Sequence, residues 1–158
     1  MKILFLDIDG VLNSEEYFEN QDWSCPEIDR KTLPRLAEII ERSGAKVVLS
    51  STWRLLRDKV QGRKQYDYLL QTLSKYSVQI YDCTPDLDNG RPYEIKEWLN
   101  RHPNVTHWIS IEDDYNEEAY KEAGIGGHLI HTSFYGNNGG LQKQHVEEAL
   151  SMLKEKII

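Results

Sequence analysis

Apolar positions along this chain fall in short blocks whose spacing alternates between two kinds. Ile3, Leu4, Phe5 and Leu6 form an unbroken run that stops at Asp7. A run without alternation predicts a strand covered on both faces, as in the middle of a parallel sheet. Residues 46–50 and 105–111 repeat that pattern, and 78–81 and 128–132 are shorter versions of it. Between these blocks the spacing turns helical. Leu33, Leu36, Ala37 and Ile40 share a face, with Pro34 confined to a first turn that starts near Thr32 and Gly44 as the stop. Residues 54–77 read as one or two helical pieces broken at Gly62. Pro92 opens a helix with Ile95, Trp98 and Leu99 on its buried stripe, 116–123 make a short helix before Gly124, and Val146, Ala149, Leu150 and Leu153 line a last one. Strands alternating with helices predict an α/β fold of three layers, a central parallel sheet with helices on both faces.

The polar residues that end the apolar runs are the candidate chemistry. Asp7, Asp9 and Gly10 follow the first strand, Ser50 and Ser51 the second, and Glu112-Asp113-Asp114 the run at 105–111. In an open parallel sheet all carboxyl ends share one edge, so these groups can converge although they are far apart in sequence. Taken singly, each has an ordinary explanation. Asp9-Gly10 makes a polar turn, Ser50-Ser51-Thr52 caps a helix, the three acids form a solvated first turn, and Arg91 is a surface residue. An EF-hand loop is excluded, because Val11 and Leu12 stand where an oxygen ligand and a glycine are required. Together the groups are harder to dismiss. Clustered carboxylates are unfavourable without a cation, and oxygen ligands with no usable Cys or His point to Mg²⁺. Hydroxyl and backbone N–H groups at Ser50-Ser51 suit a phosphate oxygen.

Composition narrows the partners. The net charge of −7 argues against a general binder of nucleic acid or membrane surfaces, yet leaves room for recognition of one phosphate. Cys25 and Cys83 have no metal or redox spacing and fit reduced thiols. The first apolar run is too short for a secretory leader and no run approaches membrane-spanning length, so the expectation is a cytoplasmic chain forming one domain over residues 1–158. The loop 136–140 lacks a phosphate-loop lysine, and His102 and His107 are expected at the surface, while His128 and His131 flank a strand.

Residues 5–12, Phe-Leu-Asp-Ile-Asp-Gly-Val-Leu, resemble the first motif of the haloacid-dehalogenase (HAD) superfamily, and Val47-Val-Leu-Ser50 its second. Arg91, heading Arg-Pro-Tyr-Glu-Ile-Lys-Glu-Trp-Leu99, stands where the third motif has Lys or Arg, and 108–114 resemble the acidic fourth. The patterns Ser-Ser-Thr-Trp-Arg54 and Arg91-x-x-Glu-Ile-x-x-Trp-Leu99 are similar to small HAD domains, some stand-alone and some attached to RNA-repair proteins. The resemblance implies a Rossmann-like fold with no full cap domain, since neither usual insertion point has room for one. Residues 13–31 remain as a small flap, whose Tyr17, Phe18 and Trp23 either meet a leaving group or pack on the scaffold.

The resemblance also implies roles. Asp7 would be the nucleophile and Asp9 the general acid and base. Mg²⁺ would be held by Asp7, the Asp9 backbone carbonyl and Asp113, with Glu112 as second choice. Ser50 would bind a phosphoryl oxygen with the N–H of Ser51, Gly10 and Arg91 completing the substrate-binding set. Arg91 would balance charge in the transition state, with Arg54 and Lys96 as competitors. The implied activity is Mg²⁺-dependent hydrolysis of phosphate monoesters through an aspartyl-phosphate, the substrate being a small molecule or a polymer end. Two other readings use the same residues. One is a phosphate-sensing or phosphoacceptor module without turnover. The other is a nucleic-acid end-healing phosphatase acting with a partner.

Overall fold

A computed structural model of the chain describes residues 1–21 and 26–157, so the expectations placed on Trp23 and Cys25 lie outside the described residues. Five strands form one parallel sheet. The first, β1 (Lys2–Leu6), lies at its centre between β2 (Lys46–Leu49) and β4 (His107–Glu112), with β3 (Ile80–Cys83) and β5 (Leu129–His131) at the edges. Side chains of a strand alternate between faces, and here both faces are covered. Leu4 and Leu6 pack with Leu36 and Ile39 of helix α2 (Leu33–Ser43), Leu69 and Leu73 of α3 (Arg63–Ser74), and Val146 and Leu150 of α6 (Lys143–Leu153). Ile3 and Phe5 pack on the other face with Ile95 and Trp98 of α4 (Arg91–Asn100) and Tyr120 of α5 (Glu117–Glu122). That double cover is why the first run shows no polar alternation. A short α1 (Glu15–Glu19) follows the first strand.

The helix boundaries follow local rules. Pro34 and Pro92 sit in first turns, and Gly44 adopts φ +75° while its N–H closes α2 on the Ile40 carbonyl. Gly62 divides the 54–77 stretch into a 3₁₀ helix, Thr52–Asp58, and α3. The expected strand at 78–81 is displaced to Ile80–Cys83. Val78 is used to end α3, its N–H bonding the Leu73 carbonyl after Ser77 turns at φ +60°, and the pairing with β2 then shifts register between Val47 and Val48. His102 and His107, expected at the surface, are both half-buried, and His102 stacks on Trp98 at 3.7 Å between ring centroids. No helix among the described residues is long and apolar enough to cross a membrane.

The strand order 3-2-1-4-5 reverses direction between β1 and β4. A crevice therefore opens outside the carboxyl ends of these two strands, the usual ligand position in an open α/β sheet. Backbone pairing continues one residue beyond the strands: Asp7 N–H to Ile111 O (3.1 Å), Ser50 N–H to Leu6 O (3.0 Å), Thr84 N–H to Leu49 O and Thr132 N–H to Glu112 O. The residues that end the apolar runs are thereby set side by side along one edge.

Candidate active site

Asp7 stands at the centre of that edge and is only 4% exposed. Its Oδ1 accepts the N–H of Ile8 at 2.9 Å and its Oδ2 accepts Arg91 Nη1 at 3.0 Å. Burial pushes the carboxyl up to about 6; the Arg91 guanidinium opposes the rise, and Asp113 and Asp9 add to it. Arg91 reaches this point from the first turn of α4. Its Nη1 also donates to Glu112 Oε2 at 2.8 Å and its Nε to the Ser50 carbonyl at 3.1 Å. Of the three basic candidates, Arg91 alone touches Asp7 among the described residues. Arg54 is buried in an ion pair with Glu94 (3.0 Å) and bonds the carbonyls of Thr84, Ser50, Ser51 and Pro85, tying loops together. Lys96 is exposed further along α4.

The neighbouring acids face different ways. Glu112 is fully buried; Oε2 accepts from Arg91 and from the Tyr115 N–H, and Oε1 from the Tyr120 hydroxyl, which also meets Ser110 Oγ at 2.7 Å. Burial raises the Glu112 carboxyl above the usual range against the pull of Arg91. Asp113 is half-buried, interacts with Asp7 and packs on Gly10. Gly10 has φ +82°, and a Cβ built there would fall on the Asp113 carboxylate. Gly10→Ala is therefore expected to cost about 1–3 kcal/mol for the left-handed backbone alone. It should also displace Asp113, which a urea melt together with a Mg²⁺ titration would register. His131 Nε2 lies 2.9 Å from the Asp113 carbonyl and Thr132 Oγ1 donates to the Gly10 carbonyl at 2.6 Å, so β5 braces both loops.

Asp9 is exposed but not loose. Asn13 Nδ2 donates to its Oδ1 at 2.9 Å and Trp53 Nε1 to its Oδ2 at 3.1 Å. Ser51 behaves as a cap, its Oγ accepting the Trp53 N–H at 3.1 Å. Ser50 does not: its Oγ is buried with no hydrogen-bond partner among the described residues. A buried hydroxyl left unpaired is uncommon and suits a ligand oxygen. In the flap region Tyr17 bonds the carbonyls of Pro26 and Ile28 and Phe18 packs near Phe134, as a scaffold contact would.

The donor set can be tested for a cation. Among the described residues no three or more His, Cys, Asp or Glu side chains are arranged to hold a metal. The four acids expected together do not form one cluster, because Asp9 is turned to Trp53 and Asn13, and Glu112 to Arg91 and Tyr120. What remains is the pair Asp7 and Asp113. Among the described residues Arg91 is the one basic side chain paired with Asp7 and Glu112, a single positive charge against two buried acids. The carboxylate oxygens of Asp7 and Asp113 are the donor type that Mg²⁺ takes, an ion that completes a sparse protein set with water.

Asn13, Thr132 and Tyr120 escape the quoted motifs. Trp53 lies within one of them and His131 beside a noted strand, but nothing local reveals that Trp53 and Asn13 both reach Asp9. A model of the family described as the HAD domain in Swiss Army Knife RNA repair proteins matches residues 3–146. No curated protein and no solved structure matches the chain.

Proposed function

The chain belongs to the family of HAD domains in Swiss Army Knife RNA repair proteins, and from that premise we propose that it is a phosphomonoesterase that works through an aspartyl-phosphate on Asp7. Family membership points to hydrolase chemistry of the phosphatase type. The observation that carries the finer reading is a buried Asp7 at the switch point of the sheet, gripped by Arg91 and the Ile8 N–H, with Asp9 two residues on.

In the first step the Asp7 carboxylate attacks phosphorus and the ester P–O bond breaks. Asp9 gives its proton to the departing oxygen. In the second step Asp9 takes a proton from water as the water oxygen attacks phosphorus, and the bond to Asp7 breaks to release phosphate. Ser50 Oγ supplies an unpaired hydroxyl for a phosphoryl oxygen. Arg91 keeps the nucleophile oriented and offers positive charge where it builds up in the transition state. When bound, Mg²⁺ would be held by Asp7, Asp113 and the Asp9 carbonyl and would shield the phosphate from the acids around it.

Chelation is expected to stop turnover of an aryl phosphate, and added Mg²⁺ to restore it. Turnover indifferent to the chelator would count against the metal. The family's description supports a second reading in which the phosphate is carried on an RNA end. Against a chain of net charge −7 it predicts binding of phosphorylated oligonucleotides that weakens steeply with salt only if a basic partner is present.

A further inference from the structure

An exposed carboxylate can be satisfied by water, so two buried donors aimed at Asp9 need a reason. Trp53 is 4% exposed and Asn13 1%. Asn13 is itself immobilised: its Oδ1 accepts the Gly10 N–H at 2.9 Å, and its Nδ2 also donates to the Glu27 carbonyl at 3.0 Å. Trp53 is fixed by its packing in the larger core cluster and by the Ser51 cap on its backbone. One donor comes from the loop after β1. The other comes from the 3₁₀ helix after β2, in the segment that begins with Ser50. Together they fix both oxygens of a side chain that would otherwise sample several rotamers.

We infer that Trp53 and Asn13 are positioning residues that hold the Asp9 carboxyl in the one orientation useful for proton transfer. The inference rests on the phosphatase reading, with Asp9 as acid and base. Each Asp9 oxygen engages one lone pair with its donor and keeps the other for the transferred proton. Trp53 therefore ties the acid to the segment that supplies Ser50, so that proton donor and phosphoryl contact are placed by the same loop. In the step concerned, the Asp9 O–H bond breaks as its proton joins the leaving oxygen, the P–O ester bond breaks, and the Asp7–phosphorus bond forms.

The test compares leaving groups. A nitrophenolate departs without a proton, whereas an alkoxide needs one, so assistance by Asp9 shows in the ratio of the two first-turnover rates. Trp53→Phe keeps an aromatic ring in the core but removes the indole N–H together with part of the ring system, so the comparison of leaving groups, which a packing loss would not move, carries the test. First-turnover release from a simple alkyl phosphate is expected to fall by about 10–100-fold, the scale of a misplaced catalytic group. Release from nitrophenyl phosphate should change by less than about threefold, a small part of that general-acid effect. In an Asp9→Asn background the same substitution should add nothing, because the group it acts through is gone.

Equal losses on both leaving groups, or a full further loss in the Asp9→Asn background, would overturn the inference while leaving the phosphatase reading intact. If Asp9→Asn alone leaves the ratio unchanged, Asp9 is not the acid and the reading beneath falls instead. Asn13→Ala, which removes the other donor, gives the same comparison should Trp53→Phe not fold.

Discussion

Asp7→Asn is expected to lower turnover of an aryl phosphate by roughly four to six orders of magnitude, the scale on which loss of a covalent nucleophile acts. Asparagine is nearly isosteric and keeps an oxygen for the Ile8 N–H, so the strand end should survive. What it lacks is the nucleophilic carboxylate. The variant should still fold, because Arg91 keeps Glu112 and the Ser50 carbonyl as acceptors, and a urea melt would check that. Trapping supplies the decisive readout: acid quenching of the wild type should recover an acyl phosphate on the chain, and quenching of Asp7→Asn should not. Residual turnover within tenfold of the wild type would remove Asp7 from the mechanism, whatever the family.

Arg91→Ala should instead be felt first in stability. One guanidinium is shared by two carboxylates and a carbonyl, at 3.0 Å to Asp7, 2.8 Å to Glu112 and 3.1 Å to Ser50. Removing it leaves two buried acids facing each other without a cation. Breaking a buried ion pair from one side costs about 3–5 kcal/mol, mostly the penalty of the charges left behind. Denaturant titration would measure this loss directly. Arg91→Lys should recover part of it, since an ammonium restores charge but cannot span three acceptors as a planar fork does. A loss below about 1 kcal/mol for Arg91→Ala would mean that water or protonation satisfies both acids easily, and that Arg91 matters only to catalysis.

The arrangement explains why Glu112 and Asp113, adjacent in sequence, do different things. Successive residues at a strand end point to opposite sides. Glu112 turns inward under α5, where Tyr120 and Arg91 consume its oxygens, and Asp113 turns toward Gly10 and Asp7. Glu112 thereby anchors Arg91, while Asp113 lies against Asp7 and Gly10.

How much of this can be read from the chain alone depends on the range of the interaction. The unbroken run 3–6, the prolines at 34 and 92 and the glycines at 44 and 62 determine strands and helices through neighbours a few residues away. Their alternation determines a parallel sheet, and a parallel sheet obliges Asp7, Ser50 and Glu112 to share an edge. Burial on both faces is encoded in the absence of polar residues. Partner choice is not encoded in this way. The motif position favours Arg91 over Arg54, but the partner of each is decided only when α4 and the 3₁₀ helix meet at the sheet edge, where Glu94 takes one and Asp7 and Glu112 the other. The hold of Trp53 on Asp9 spans 44 positions, and the slip of β3 answers to how α3 ends and to the extra residue, Tyr81, that β3 carries between its pairings with Val47 and Val48. The sequence by itself determined the elements, their order and the edge at which the acids gather, because those follow from local periodicity. Which acid faces which base, and which carboxylate is held still, only the tertiary structure decided, because such pairings rest on distances between segments that no local pattern records.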